Sequence, residues 1–220
     1  MIISHRHSVI LFANPRTGSE TLRAVFEPWA DEPVVPFRNV TPQMPFYPHM
    51  TPRECQIAFA GRGLDFQSYR RITFVRSPFA RLVSLYRMIG DVDPIWRVRQ
   101  GMGIGPPNFA RWLRKIRPDG RGAGGPRHHK WRQYGCWSLA EWCGGLVEEV
   151  YRTEDMATIL PRIGAEYGLQ VGEVPRLNAR PRVHWQALYT PELISIVHDR
   201  YAPEIERFGY PSPYPRGTTE

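Results

Sequence analysis

Asn14 to Leu22 reads NPRTGSETL, a stretch that sets three hydroxyls, one arginine and one glycine between two apolar segments. A glycine-containing turn between a strand and a helix aims successive backbone N–H groups at one point, and the positive end of the helix adds to them. Thr17, Ser19 and Thr21 bring hydroxyl donors and Arg16 a fixed charge, so the stretch has the chemistry of an oxyanion cradle. The Walker A order GxxxxGK[ST], with its lysine, is absent. The plainer reading is a polar turn with Ser19 as the N-cap. A second stretch, Val75 to Tyr86, reads VRSPFARLVSLY. Arg76 ends an apolar run, and Ser84 lies two turns into the helix that follows. In a parallel sheet both reach the same crevice as the first loop, at the C-terminal strand ends. An arginine and a hydroxyl there suit a second phosphate; alternatively Arg76 is a capping cation and Ser84 a small packing residue.

The elements that must position these residues follow from the pattern. Ser8 to Asn14 is a short apolar run, as expected for a strand buried on both faces. Helical spacing follows from Glu20 to Trp29. Residues 31 to 50 are proline-rich and irregular. Thr51, Pro52 and Glu54 form an N-cap, first-turn proline and capping box for a helix to about Ala60. Arg71 to Arg76 predicts a second buried strand, and Ser77-Pro78 opens a helix through Ile89. Asp91 to Asn108 reads as irregular, Phe109 to Ile116 as a short helix, and the Gly/Pro/Arg-rich Arg117 to Arg127 as a mobile loop. A third strand is expected at Leu146 to Tyr151, a helix from Glu154 to Gly168, and a last helix from Pro191 to Phe208 capped by Gly209. Strands alternating with helices predict an α/β fold with a central parallel sheet and flanking helices.

The chain of 220 residues carries 29 Lys+Arg against 21 Asp+Glu, a net charge of +8, and is 42% hydrophobic. That is enough apolar content for a core without disulfides or metal, and it excludes a disordered chain. No apolar run approaches the roughly 20 residues of a membrane-spanning helix. Lys115 and Lys130 are the only lysines; the other basic residues are arginines, the side chain that grips phosphate and sulfate bidentately. The balance suggests an anionic partner: a nucleotide, a sulfated or acidic glycan, or nucleic acid. Cys55, Cys136 and Cys143 form no CxxC pair and no zinc spacing, which fits a reducing compartment. The apolar run Val9 to Ala13 is too short for a signal peptide, so a cytoplasmic location is expected.

Together the two stretches resemble the sulfotransferases that use 3′-phosphoadenosine 5′-phosphosulfate (PAPS). The likeness is to the carbohydrate branch, that of heparan sulfate 2-O-sulfotransferase and its bacterial relatives. The family loop P-[KR]-T-x-x-[ST]-[ST]-L is matched by Pro15 to Leu22, and V-R-[DNS]-P-x-x-R-L-[VL]-S-x-Y by Val75 to Tyr86. Weaker echoes run through Tyr151–Met156, Leu177-Asn178, Leu188–Leu193 and Arg207–Tyr210. The resemblance implies a P-loop-like sulfotransferase fold in one domain over 1–220, with an acceptor-recognition insertion around 91–137. It implies PAPS as donor, 3′-phosphoadenosine 5′-phosphate (PAP) as product, and no metal. Arg16, Thr17, Gly18, Ser19 and Thr21 would hold the 5′-phosphate, with Arg16 also neutralising the departing oxygen. Arg76 and Ser84 would hold the 3′-phosphate, with Asn178 and Arg182 completing the nucleotide site. Arg16 stands where the family has lysine more often, and Glu20 where it has Thr or Ser.

Sulfuryl transfer needs a base for the acceptor hydroxyl proton. In the related carbohydrate enzymes a histidine between the first loop and the second strand serves, and Phe46–Thr51 (FYPHMT) places His49 there. The bland reading is a loop histidine beside a helix cap; Glu20 and Glu27 are the fallback bases. His128 and His129 lie in the Arg/Gly loop, and His198 reads as structural. The implied acceptor is a hydroxyl on a carbohydrate or glycoconjugate, with neither nucleic acid nor a membrane span involved. Three other readings stand beside this one: a PAPS-binding protein without turnover, a nucleotide-dependent kinase, and a basic polyanion-binding module.

Overall fold

A hairpin of two fully buried strands, β1 (Ile2–Ser4) and β2 (Val9–Phe12), opens the chain. The computed structural model describes residues 1–102, 108–124, 129–175 and 185–213. Within them β2 leads to α1 (Ser19–Phe26), α2 (Pro52–Gly61) and then β3 (Arg70–Val75). After β3 come α3 (Pro78–Val92), α4 (Pro94–Gly101), α5 (Phe109–Lys115), α6 (Lys130–Cys136) and α7 (Leu139–Cys143). The chain then forms β4 (Glu149–Arg152), α8 (Met156–Glu166) and α9 (Pro191–Phe208). The strands pair in the order β1-β2-β3-β4, with β2, β3 and β4 parallel and β1 antiparallel to β2.

The architecture is therefore α/β with an open mixed sheet, which corrects the expectation of a wholly parallel one. Residues His5 to Ser8 make a turn, with Ser8 at φ 50° and its N–H bonded to the His5 carbonyl. A three-residue strand is too short to show an alternation, and a tight turn needs no glycine when a single residue takes up the positive φ.

Both faces of the sheet are covered. On one, Ile2, Val9, Leu11 and Phe74 pack with Leu22 and Phe26 of α1 and with Leu160 and Ile163 of α8. On the other, Ile3, Ile10 and Phe12 meet Phe59 of α2, Phe46, and Trp142 of α7. A third cluster joins α3, α5 and α9 through Phe79, Leu82, Trp112, Leu193 and Tyr201. The tryptophans in the second half are thus mainly core: Trp112 and Trp142 are buried, and Trp96, Trp131 and Trp185 pack partly buried against the α3 cluster. Among the described residues no helix is long and apolar enough to cross a membrane.

Local chemistry explains most boundaries. Thr51 and Glu54 form the expected reciprocal capping box, and Gly209 ends α9 at φ 61°. Asp91 to Asn108 is not irregular throughout, since α3 runs to Val92 and α4 follows at once. Asp93 is the reason: its carboxylate accepts from the N–H groups of Ile95 and Trp96 at 2.8 and 3.0 Å, capping a helix that begins with Pro94. The third parallel strand lies at Glu149–Arg152, later than expected, and α6 and α7 were not anticipated. The described part of the Arg117–Arg127 loop is fastened, not free. Arg117 N–H reaches the Arg121 carbonyl at 2.8 Å, Ser138 N–H reaches the Pro118 carbonyl at 2.8 Å, and Ala123 is buried. Residues 125–127 of that loop lie outside the described residues.

Arg81 of α3 and Glu204 of α9 form a fully buried bidentate pair, both contacts at 2.8 Å. Arg81 also donates to the carbonyls of Gly135 and Trp137 at 2.7 and 2.8 Å, and Glu204 accepts from the Leu139 N–H at 2.8 Å. Four helices therefore meet on two side chains. Glu204→Ala leaves a buried cation without its counter-charge, and the expected loss is about 3–5 kcal/mol of unfolding free energy. The double variant Arg81→Met/Glu204→Leu should recover most of that; urea midpoints of the two variants check it.

Candidate functional site

Because β2, β3 and β4 are parallel, the segments leaving them, residues 13–18, 76–77 and 153–155, emerge at one end of the sheet. The first is an anion cradle by geometry. Arg16 and Gly18 both take positive φ, 70° and 80°. Gly18, not Ser19, is the N-cap of α1, and no side chain caps the helix. Among the described residues no hydrogen bond takes up the N–H groups of Thr17, Gly18, Ser19 or Glu20. Those groups, with the positive helix end behind them, are the donors that an oxyanion needs.

The hydroxyls divide. Thr17 is buried and donates to the Asn14 carbonyl at 2.8 Å, which closes the turn. Thr21 donates to the Pro175 carbonyl at 3.0 Å, so the chain passes beside α1 just before residue 176. Ser19 has no hydroxyl partner among the described residues. Asn178 and Arg182, expected to complete the site, lie outside the described residues, as do His128 and His184.

The two motifs are joined directly. Arg16 Nε donates to Ser84 Oγ at 2.9 Å, and Arg76 Nη1 donates to the Arg16 carbonyl at 3.3 Å. The left-handed conformation of Arg16 costs about 1–2 kcal/mol for a residue with a Cβ, and these two bonds help hold it. Arg76 sits at the end of β3, where burial lowers its pKa and nearby Arg81 adds to the effect against the opposing pull of Glu154. Among the described residues its one hydrogen bond is to that carbonyl, and no carboxylate lies in ion-pair contact with it, although Glu154 is near enough to stabilise its charge. A half-buried cation without a contact ion pair can still attract an anion.

His49 lies beside the same strand end. Its Nδ1–H donates to the Ala13 carbonyl at 2.7 Å, which leaves Nε2 as the basic nitrogen. Burial, partly offset by that hydrogen bond and reinforced by the charges of the Met1 amino group, Arg23 and Arg16, lowers its pKa to about 4. The ring is therefore neutral at pH 7. Glu20 is exposed at the start of α1 and pairs with Arg23 one turn on, so its carboxylate is balanced locally. Arg23 thus couples α1 to both Glu20 and His49. His198 packs edge-on against Phe79 in α9, in keeping with a structural role.

Two features, a brace formed by Thr153 and Met156 and a buried amide, were not legible as such. Thr153, just after β4, places its hydroxyl 3.1 Å from the Thr17 carbonyl and 2.9 Å from the Val75 carbonyl, bridging the two motif segments. Met156, on the next turn, packs on Gly18, where an added Cβ would lie 2.8 Å from its Cε. The rule that ligands gather at the ends of parallel strands is the signal that could have found Thr153. The second is Asn14. It is wholly buried at the end of β2, and neither its Oδ1 nor its Nδ2 has a hydrogen-bond partner. Such an amide costs about 1–3 kcal/mol unless something binds it.

A scan against protein-family models gives no match for the chain, and neither the curated proteins nor the solved structures yield one.

Thr153→Val keeps the shape and removes the shared donor; it should lower stability by about 1 kcal/mol in a denaturant titration. The His49 pKa fixes a sign as well. Between its unfolded value of 6.5 and its folded value of about 4, only the unfolded chain takes up the proton, so this group makes stability fall as pH drops through that window. His49→Asn retains a donor for Ala13 but does not titrate. Its stability should change less between pH 6.5 and 4 than that of the parent, by on the order of 2 kcal/mol.

Proposed function

We propose that this chain is a PAPS-dependent sulfotransferase of the P-loop-like fold, transferring a sulfuryl group to a hydroxyl of a carbohydrate or glycoconjugate. The single observation that carries the reading is the Arg16–Ser84 hydrogen bond at 2.9 Å, which joins residues 68 positions apart that belong to the two separate phosphate motifs. Support also comes from the open N–H groups of Thr17 to Glu20, Arg76 with no carboxylate in ion-pair contact, and the unpartnered Asn14 amide, all at one end of the sheet. These groups fit a doubly phosphorylated nucleotide. The likeness to the family rests on the two motifs.

The residues would divide the work as follows. Thr17, Gly18, Ser19 and Thr21 bind the 5′-phosphate, chiefly through backbone N–H groups. Arg76 and Ser84 bind the 3′-phosphate, and Arg16, lying between the two positions, neutralises charge on the departing phosphate oxygen. Bound there, the donor supplies an activated sulfuryl group. Transfer forms a bond from the acceptor oxygen to sulfur and breaks the bond from sulfur to the bridging oxygen, which keeps the electron pair. The hydroxyl proton passes to Nε2 of His49. A base with a pKa near 4 is weak, but a nearby multiply charged anion raises it, and the acceptor proton becomes acidic as the new bond forms. No nucleic-acid role is needed to account for the arginines. Arg6, Arg62, Arg70, Arg71, Arg114, Arg121 and Arg132 are each matched by a carboxylate, so these seven have partners within the fold.

Calorimetric titration with PAP and with ADP at one ionic strength tests the nucleotide site, and PAP should bind more tightly because its 3′-phosphate is read. Arg76→Ala should weaken PAP by about tenfold or more, the scale of one charged hydrogen bond. His49→Asn should abolish sulfuryl transfer and leave PAP affinity within about twofold. Equal affinity for PAP and ADP would overturn the donor assignment, and parallel loss of binding and turnover in His49→Asn would overturn the base.

A further inference from the structure

We propose that α4 docks the protein on an anionic lipid surface, with its apolar edge at the headgroup boundary. The observation is a concentration of exposed apolar side chains. Ile95, Val98 and Met102 are 71%, 61% and 69% exposed, and they stand at i, i+3 and i+7 on one face. The Met102 N–H still reaches the Val98 carbonyl at 3.0 Å, so the helical path carries this residue onto the same face. The opposite face is the one that holds the helix to the protein. Trp96 packs on Tyr86 of α3 with ring centroids 5.4 Å apart, and Asp93 is bound by Arg132 at 2.7 Å. The stripe therefore contributes nothing to the core, and its exposure needs another reason.

Charge selects the occupant. At 100° per residue, Arg99 falls about 40° beyond Ile95 and Arg97 about 100° beyond Val98 on the other side, and Arg97 is exposed. Arg111 and Lys115 are exposed on α5, which packs on the same Tyr86 through Phe109 and Trp112. From residue 87 to 117 the sequence has seven basic residues and two acidic ones, Asp91 and Asp93; with Arg114 paired to Glu192, six of the basic residues remain against those two. A second copy meeting this face would bring like charges together. Anionic headgroups neutralise them while acyl chains take up the apolar edge. This docking does not depend on the sulfotransferase reading.

The test is flotation of the full chain with vesicles of phosphatidylcholine alone and of phosphatidylcholine with phosphatidylglycerol. Binding should be about tenfold or more tighter to the anionic vesicles and should weaken with salt. The triple variant Ile95→Ser/Val98→Ser/Met102→Ser should lose it, and Arg97→Gln should weaken it by about fivefold, the effect of one arginine at the surface. Both should keep the parental thermal midpoint and PAP titration, which separates lost docking from a lost fold or nucleotide site. Absence of binding by the parent, equal binding to neutral vesicles, or undiminished binding by the triple variant would overturn the proposal. So would self-association of the parent that the triple variant abolishes without any vesicle binding, since that assigns the stripe to a second copy.

Discussion

The Arg81–Glu204 pair is the constraint around which the helical half of the molecule is arranged. Two opposite charges with no exposure are tolerated only when nearly every hydrogen-bonding position is met, and here the carboxylate takes both Nη2 contacts and the Leu139 N–H. Arg81 reaches two further carbonyls, at the end of α6 and just beyond it. The geometry leaves α3 and α9 little freedom to slide against each other, and Tyr201 reinforces it with a 2.7 Å hydrogen bond to the Cys136 carbonyl. Ser84 lies three residues after Arg81 on α3. The hydroxyl offered to Arg16 is therefore carried on a helix held by a pair that makes no hydrogen bond to the site.

The sheet supplies the complementary constraint. Parallel pairing puts three strand ends side by side, and each end leads directly to a segment with polar work to do. Thr153 and Met156 show how closely these segments depend on one another. One hydroxyl stands between the carbonyls of the first and second motif segments, and one thioether fills the space that a side chain at Gly18 would need. The left-handed turn at Arg16 to Gly18 is thus enclosed on several sides.

Electrostatics then separates the site from the rest of the surface. Most arginines with a carboxylate in reach have taken it, as in the Arg70 pairs to Glu149 and Glu166 and the Arg71–Glu148 pair. Arg76 forms no ion-pair contact among the described residues, and burial lowers its pKa against the pull of Glu154. His49, at the end of β2, is held in its neutral form by burial.

The pattern of residues by itself determined the alternation of strands and helices, the capping box at Thr51, the glycine stop at Gly209, and the two motif stretches that carry the site. These are local matters, decided by propensity, capping chemistry and apolar period within a few residues. The antiparallel β1, the helix begun by Asp93, the short helices α6 and α7, and the fastening of the loop after Arg117 were decided by contacts far apart in the chain. So were the roles of Arg81, Thr153 and Asn14, which are ordinary residues until folding sets a buried carboxylate, two carbonyls or an apolar surround beside them. A short segment carries too little periodic information to announce its own structure. A buried polar side chain takes its meaning from partners that only the tertiary structure brings within hydrogen-bonding distance.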